Sequence, residues 1–291
     1  MPVFQRAVIV GVGLLGGSIG MALRRRGLAN QVVGTGRRIQ SLLEASSLGA
    51  ITEHTCDLSA ACAKADLVVI CTPVQSITDY VKQVAACSLA NNALITDVGS
   101  TKGRICADLP DSVHKYFCGS HPMAGSENSG VRFASDHLFE DRLTIVTPTR
   151  TTPKILTERT EQLWQSLGCR TVLMSPQQHD CSIARVSHLP HLIAAALAGQ
   201  TADDLLALTG PGWRDTTRVA AGNVELWRQI ITDNRLPVLE SLRDFTNSLQ
   251  QWISTLENDD QSQLIELLQR GKQQRDQASG AAHHAQPDGT N

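Results

Sequence analysis

The stretch Ala7-Val8-Ile9-Val10-Gly11-Val12-Gly13-Leu14-Leu15-Gly16 constrains this chain more than any other. A short apolar run passes directly into Gly-x-Gly-x-x-Gly and then into a helix-compatible segment, and that order gives the glycines their meaning. Gly11 suits a tight strand-to-helix turn, Gly13 lets backbone approach a pyrophosphate, and Gly16 lets the helix lie close on the strand. A helix starting here offers unpaired amides and partial positive charge to an anion. A glycine-rich turn that binds nothing would need neither the strand before nor the helix after. The stretch therefore predicts dinucleotide binding by Gly11, Gly13, Leu14, Leu15 and Gly16.

The pattern continues as expected of an α/β chain. Leu14 to Gly27 reads as a helix whose last turn, Arg24-Arg25-Arg26, complements the negative helix end, with Gly27 just past it. Gln31 to Thr35 reads as a second strand, followed by Gly36-Arg37-Arg38 where dinucleotide folds that use NAD usually place an acid against the ribose 2′-hydroxyl. No acid is present. Gly36 leaves room, and two guanidinium groups suit a 2′-phosphate, so NADP is the preferred cofactor over NAD. The plainer reading is that Arg37 and Arg38 are solvated residues opening the next helix.

Asp66 to Pro73 is a continuous apolar run closed by a proline, as in a parallel strand buried on both faces, and Thr72 and Pro73 at its end join the cofactor set. A helix over Gln75 to Ala86 and strands at Ala93 to Asp97, Phe117 to Ser120, Arg142 to Thr147 and Cys169 to Met174 follow, with a helix over Pro153 to Leu167. Alternating strands and helices imply a doubly wound parallel sheet of Rossmann type with right-handed crossovers, whose strand ends open on one ligand-binding edge. After Ser175-Pro176 only helical periodicity is found. Leu189, Leu192, Ile193, Ala196 and Leu197 share one helical face, and Leu242, Phe245, Leu249, Trp252, Ile253 and Leu256 keep a three-four spacing. The expected division is a dinucleotide-binding domain over 1–175, an all-α substrate and dimerisation domain over 176–278, and a disordered tail over 279–291 that includes His283 and His284. The helical seams suit a homodimer interface or an internal bundle core equally.

Composition narrows the classes. At 291 residues the chain can hold two cores, and a formal net charge of -2 gives no electrostatic case for nucleic acid or an anionic membrane. No apolar run in the sequence approaches a membrane span and no signal-type segment opens it, which leads to the expectation of a cytosolic protein. The eight cysteines include no Cys-x-x-Cys pair, and several lie within apolar runs as small hydrophobes.

A dehydrogenase needs a base for the hydroxyl proton as hydride leaves. His121, presented beside Pro122 at an expected strand end near the nicotinamide, is the candidate, with Ser100 on the neighbouring strand end able to hydrogen-bond the ring or the substrate and fix the geometry. A histidine beside a proline is by itself more often structural; the strand-end position argues for chemistry. His188 and His191, three apart on one helical face, lack further ligands for a metal, so no metal site is expected, and either could hydrogen-bond an acidic substrate. Asp215 and Arg218 could form an ordinary helix-surface pair, or Arg218 could clamp a carboxylate.

Taken together, Gly11 to Ser18, Asp97-Val98-Gly99-Ser100-Thr101-Lys102, His121-Pro122-Met123-Ala124-Gly125, Ser187-His188-Leu189-Pro190-His191 and Arg214-Asp215-Thr216-Thr217-Arg218 resemble the prephenate and arogenate dehydrogenases of tyrosine biosynthesis, over nearly the whole chain to about residue 255. The resemblance implies oxidation of a 4-hydroxycyclohexadienyl substrate with loss of its ring carboxylate as CO2. It implies that His121 accepts the 4-hydroxyl proton, that Ser100 orients His121, and that Arg218 binds the ring carboxylate with Asp215 positioning the loop. Glu127 and either His188 or His191 would line the side-chain end, and Trp227 resembles the family's pocket tryptophan, which can come from the partner subunit of a dimer. Two other readings remain. Reductases that join a similar domain to a helical one usually use a lysine from the helical part, yet none lies between Lys154 and Lys272. A non-catalytic NADP-sensing module would not need His121, Ser100 and Arg218 to converge.

Overall fold

The glycine-marked turn sits where the sequence places it, between β1 (Phe4–Val10) and α1 (Leu14–Arg25). The structure is a computed structural model and describes residues 3–125 and 128–283. It divides into two compact units, Met1–Pro237 and Val238–Asn291. This division by compactness lies later in the chain than the change from mixed to helical sequence at residue 175.

In the first unit, β2 (Ala29–Thr35), α2 (Ile39–Ser47), β3 (Glu53–Thr55), α3 (Leu58–Cys62), β4 (Leu67–Ile70), α4 (Val74–Ala85) and β5 (Leu94–Asp97) follow α1. The five strands form a parallel sheet in the order β3-β2-β1-β4-β5. The order reverses direction between β1 and β4, which pair Val10 with Ile70 at their carboxyl ends. A crevice for a ligand opens at such a reversal. Both faces of the sheet are covered, which is why its inner strands are continuous apolar runs. Ala7 and Ile9 pack in one core with Leu23, Val69 and Trp164, while Val8 and Val10 pack in the other with Ile77, Val81 and Ile105. Burial also pushes the Cys62, Cys106 and Cys118 thiols up to about 12, so these residues act as core hydrophobes.

The expectation of a single parallel sheet is corrected beyond β5. After the short α5 (Gly103–Ala107) and α6 (Asp111–His114), β6 (Gly119–Pro122) belongs with β7 (Leu143–Thr147) and β8 (Arg170–Leu173) to a separate three-stranded sheet. There β6 runs antiparallel to β7, and β7 runs parallel to β8. The connections explain the directions. Between β6 and β7 the described residues hold only a 3-10 turn, Val131–Phe133, whereas α7 (Lys154–Ser166) provides the helix that a parallel return from β7 to β8 requires. One parallel bridge, Ile95 to Phe117, links β5 to the segment leading into β6.

The helices that follow are α8 (Pro176–Ile183), a π segment over Ala184–His188, α9 (Leu189–Gly199), α10 (Pro211–Thr217) and α11 (Val224–Asp233). Ser175 starts α8 with a reciprocal capping box to Gln178, and Pro176 occupies the first turn. The continuous helix Pro176–Gly199 is long and apolar enough to cross a membrane by length and composition alone, a test that a core helix also passes. It nevertheless carries Asp180, His179, His188 and His191, all buried among protein groups.

The second unit comprises α12 (Arg235–Glu257) beyond its first residues, and α13 (Gln261–His283). Leu242, Leu249, Ile253 and Leu256 on α12, and Ile265 and Leu268 on α13, are exposed, so an internal bundle core does not account for that seam. The helix α13 also takes in residues 279–283, which composition assigned to a disordered tail; residues 284–291, with His284, lie outside the described residues.

Candidate active site

The crevice between the ends of β1 and β4 is built from backbone. Gly11 has φ +92° and donates its N–H to the Thr35 carbonyl at 2.8 Å; a Cβ there would lie 2.8 Å from the Cys71 carbonyl oxygen. A Cβ on Gly16 would lie 2.2 Å from the Gly11 carbonyl oxygen, so only glycine lets α1 settle this close to the turn. Gly13 occupies the N-cap without a side-chain acceptor, and a Cβ on it would meet nothing within 4 Å. The first α1 amides, including those of Leu14 and Leu15, have no acceptor within the helix. Across the crevice, Thr72 has a buried hydroxyl oxygen with no protein partner, and Pro73 starts α4. An anion-binding helix end and an orphaned hydroxyl at one crevice fit a dinucleotide. After β2, a Cβ on Gly36 would approach nothing closer than 3.9 Å, and Arg37 and Arg38 are exposed. Arg38 is also the N-cap of α2, so the plainer reading of this residue holds as well.

Next to the crevice, the β5 end is fixed by a buried ion pair. Asp97 and Lys102 are fully enclosed and joined side chain to side chain. Asp97 also accepts from the Gly99 amide at 2.9 Å and the Ser120 amide at 3.1 Å, which binds β6 to β5 where the formal strand pairing is thin. Ser120 completes the junction by donating to the Asp97 carbonyl at 2.6 Å, and its Oγ accepts from the Trp164 indole at 2.9 Å.

His121 lies inside β6, opposite Ile145, and not beyond a parallel strand end as expected. Its ring is buried, and Nδ1 lies 2.9 Å from Nε2 of His179. His179 Nδ1 in turn lies 2.8 Å from Oδ1 of Asp180, whose carboxylate accepts the Lys102 and Gly103 amides at 2.8 Å each. Burial, reinforced by His179, Lys102 and His188, drives the His121 pKa well below 6.5. Burial likewise lowers His179. Burial pushes the Asp180 carboxyl up, but the His179 hydrogen bond and the two amides outweigh it and hold it below its usual value.

No hydrogen bond joins Ser100, expected to orient His121, to that ring among the described residues; His179 occupies its Nδ1 side. Ser100 is half-buried on the loop after β5. His179 and Asp180 escaped the sequence reading, since nothing local distinguishes them; the signal available was a His-Asp pair in the first turns of a capped helix. Asn234 was missed for the same reason. It donates to the Asp180 carbonyl at 2.8 Å and to His188 Nδ1 at 3.1 Å.

From His188 the contacts lead on to the remaining candidates. Its ring meets the Trp227 ring edge-on at 6.0 Å, and Trp227 stacks on His191 at 3.6 Å and 12° within the same chain. The expectation that both histidines share one helical face holds. Burial lowers the His188 pKa to about 4, and lowers that of His191. A Cβ on Gly222 would sit 2.6 Å from the Trp227 indole nitrogen and 3.3 Å from His191, so the turn Arg218–Ala221 ends against this stack. Arg218 and Asp215 are exposed and form no ion pair with each other, so the plain surface pair is absent. Glu127 lies outside the described residues. Among the described residues no cluster of metal-ligating side chains was found.

A dinucleotide crevice at a sheet reversal, flanked by a buried neutral imidazole and a helical subdomain, defines the class of nucleotide-binding oxidoreductases with an appended helical part. The chain matches the family models described as prephenate dehydrogenase, nucleotide-binding domain, over residues 19–173, and prephenate dehydrogenase, dimerization domain, over residues 175–270. It is 32% identical to a prephenate dehydrogenase of Bacillus subtilis strain 168, covering 92% of this chain and 75% of that protein. The structure of Aquifex aeolicus prephenate dehydrogenase in complex with hydroxyphenyl propionate and NAD+ is similar with a TM-score of 0.88 at 33% identity, covering 94% of this chain and 98% of that one. Synechocystis arogenate dehydrogenase is similar with a TM-score of 0.81 at 32% identity, covering 94% and 100%. The chain belongs to the prephenate dehydrogenase family.

Proposed function

We propose that this protein oxidatively decarboxylates prephenate to 4-hydroxyphenylpyruvate in tyrosine biosynthesis, with arogenate as the alternative substrate. The observation that carries the reading is His121, a buried imidazole kept neutral beside the cofactor crevice in a chain of this family. A nicotinamide dinucleotide, when bound by Gly11, Gly13, Leu14, Leu15, Gly16, Thr72 and Pro73, supplies the hydride acceptor. His121 takes the 4-hydroxyl proton as the C–O bond gains carbonyl character, and loss of the ring carboxylate as CO2 restores aromaticity. Arg218 binds that carboxylate, with Asp215 holding the turn. His188, His191, Trp227 and Glu127 form the side-chain end, and Ser100 contacts the substrate hydroxyl. Gly36, Arg37 and Arg38 favour NADP over NAD, supported by the open space at Gly36 and the two exposed guanidinium groups. The exposed apolar faces of α12 and α13 suit a homodimer, and the expected location is the cytosol.

The test is reduction of NADP and of NAD with prephenate and with arogenate. Turnover with one of them, higher kcat/KM with NADP, and a loss of roughly 10²- to 10⁴-fold in kcat in His121→Asn with cofactor affinity retained are expected. No turnover with either substrate refutes the reading.

A further inference from the structure

Only one arrangement of protons satisfies the contacts behind His121. Asp180 is held as a carboxylate by the Lys102 and Gly103 amides, so its Oδ1 can only accept, and His179 Nδ1 must donate to it. The neutral His179 ring then presents a bare Nε2 to His121. That nitrogen can only accept, so His121 Nδ1 carries the hydrogen of the 2.9 Å bond. The remaining nitrogen of His121, Nε2, is left with its lone pair free.

We infer that His179 and Asp180 are positioning residues that fix His121 in the Nδ1–H tautomer, with Nε2 poised to accept a proton. The inference rests on the proposed dehydrogenase activity only for its kinetic part. Histidine rings in water favour the opposite tautomer, in which Nε2 carries the hydrogen and cannot act as a base, so the carboxylate two residues removed from the reaction governs the fraction of active enzyme. The same chain stabilises the imidazolium once the proton has arrived, because His121 Nδ1–H, His179 and the Asp180 carboxylate are already aligned with no reorganisation. Asn234 ties the relay to the helical part by donating to the Asp180 carbonyl and to His188 Nδ1, which leaves His188 as an Nε2–H donor.

The experiment compares full-length wild type with His179→Leu and His179→Gln. Glutamine can offer an amide oxygen near the place of His179 Nε2, so it restores the acceptor without the link to Asp180. Two readouts are used: steady-state kinetics with prephenate and NADP, and ¹⁵N NMR of the imidazoles, whose shifts distinguish the tautomers without reference to activity. We expect the His121 Nδ1–H form in wild type and predominantly Nε2–H in His179→Leu. The leucine variant should lose roughly 10²-fold in kcat with KM and NADP affinity changed less than about threefold, and the glutamine variant should recover to within about tenfold of wild type. An Nε2–H tautomer for neutral His121 in wild type overturns the inference. So does a leucine variant with kcat within twofold of wild type, or a glutamine variant no better than leucine. Absence of turnover in wild type would overturn the functional reading alone, since the tautomer measurement stands without it.

Discussion

Single side chains carry the precision of this site. Asp97 and Lys102 are sealed from water and compensate each other, so removing one partner leaves a buried charge unmatched. Lys102→Met should lower stability by about 3–5 kcal/mol, read as a shift of the urea unfolding midpoint at constant slope. Both residues stood in a motif legible in the sequence, yet their pairing was not, because spacing alone does not show which way two side chains turn. His121 was legible for the opposite reason: its candidacy came from the neighbouring proline and the strand before it, which are local. Its orienting partner is 58 positions away in sequence, so only the packing of α8 against α5 reveals it. Ser100 filled that place in the sequence reading by proximity to a strand end.

At the scale of elements, the place of the glycine turn was legible because strand, turn and helix follow one another directly; Gly16 meets the Gly11 carbonyl within that unit, whereas Gly11 meets Cys71 at the end of β4 and Gly13 faces no neighbour. Gly16→Ala would place a methyl group 2.2 Å from the Gly11 carbonyl oxygen and force α1 away from the turn. Dinucleotide affinity measured by calorimetry should fall more than about tenfold, because the helix amides leave the position set by the turn. The direction of β6 was misread for an equally physical reason. Alternation of strands and helices predicts parallel pairing only where the helix is long enough to carry the chain back over the sheet. The segment before β6 has just the short α5 and α6, and the segment after it returns to β7 without a crossover helix in its described residues. The π segment ending at His188 was equally invisible, since a wider helical turn leaves no periodic trace over five residues.

For the molecule as a whole, several buried histidines share one consequence. His121, His179 and His188 are lowered by burial, the last to about 4, while an unfolded chain protonates its histidines near 6.5. Below that value the unfolded state binds more protons than the folded one, so stability rises with pH across this window. The contribution is present in full above pH 6.5 and declines as the solution is acidified toward pH 4. The melting temperature should drop by more than about 5 °C between pH 7 and pH 5, and a His188→Asn variant should show a smaller drop. Because the indole of Trp164 donates to the Oγ of Ser120, one residue from His121, the fold also carries its own chromophore there. A shift of β6 would change the polarity around that ring, so a variant keeping Trp164 as its one tryptophan among the four of the chain would report the event by its emission colour without an added label.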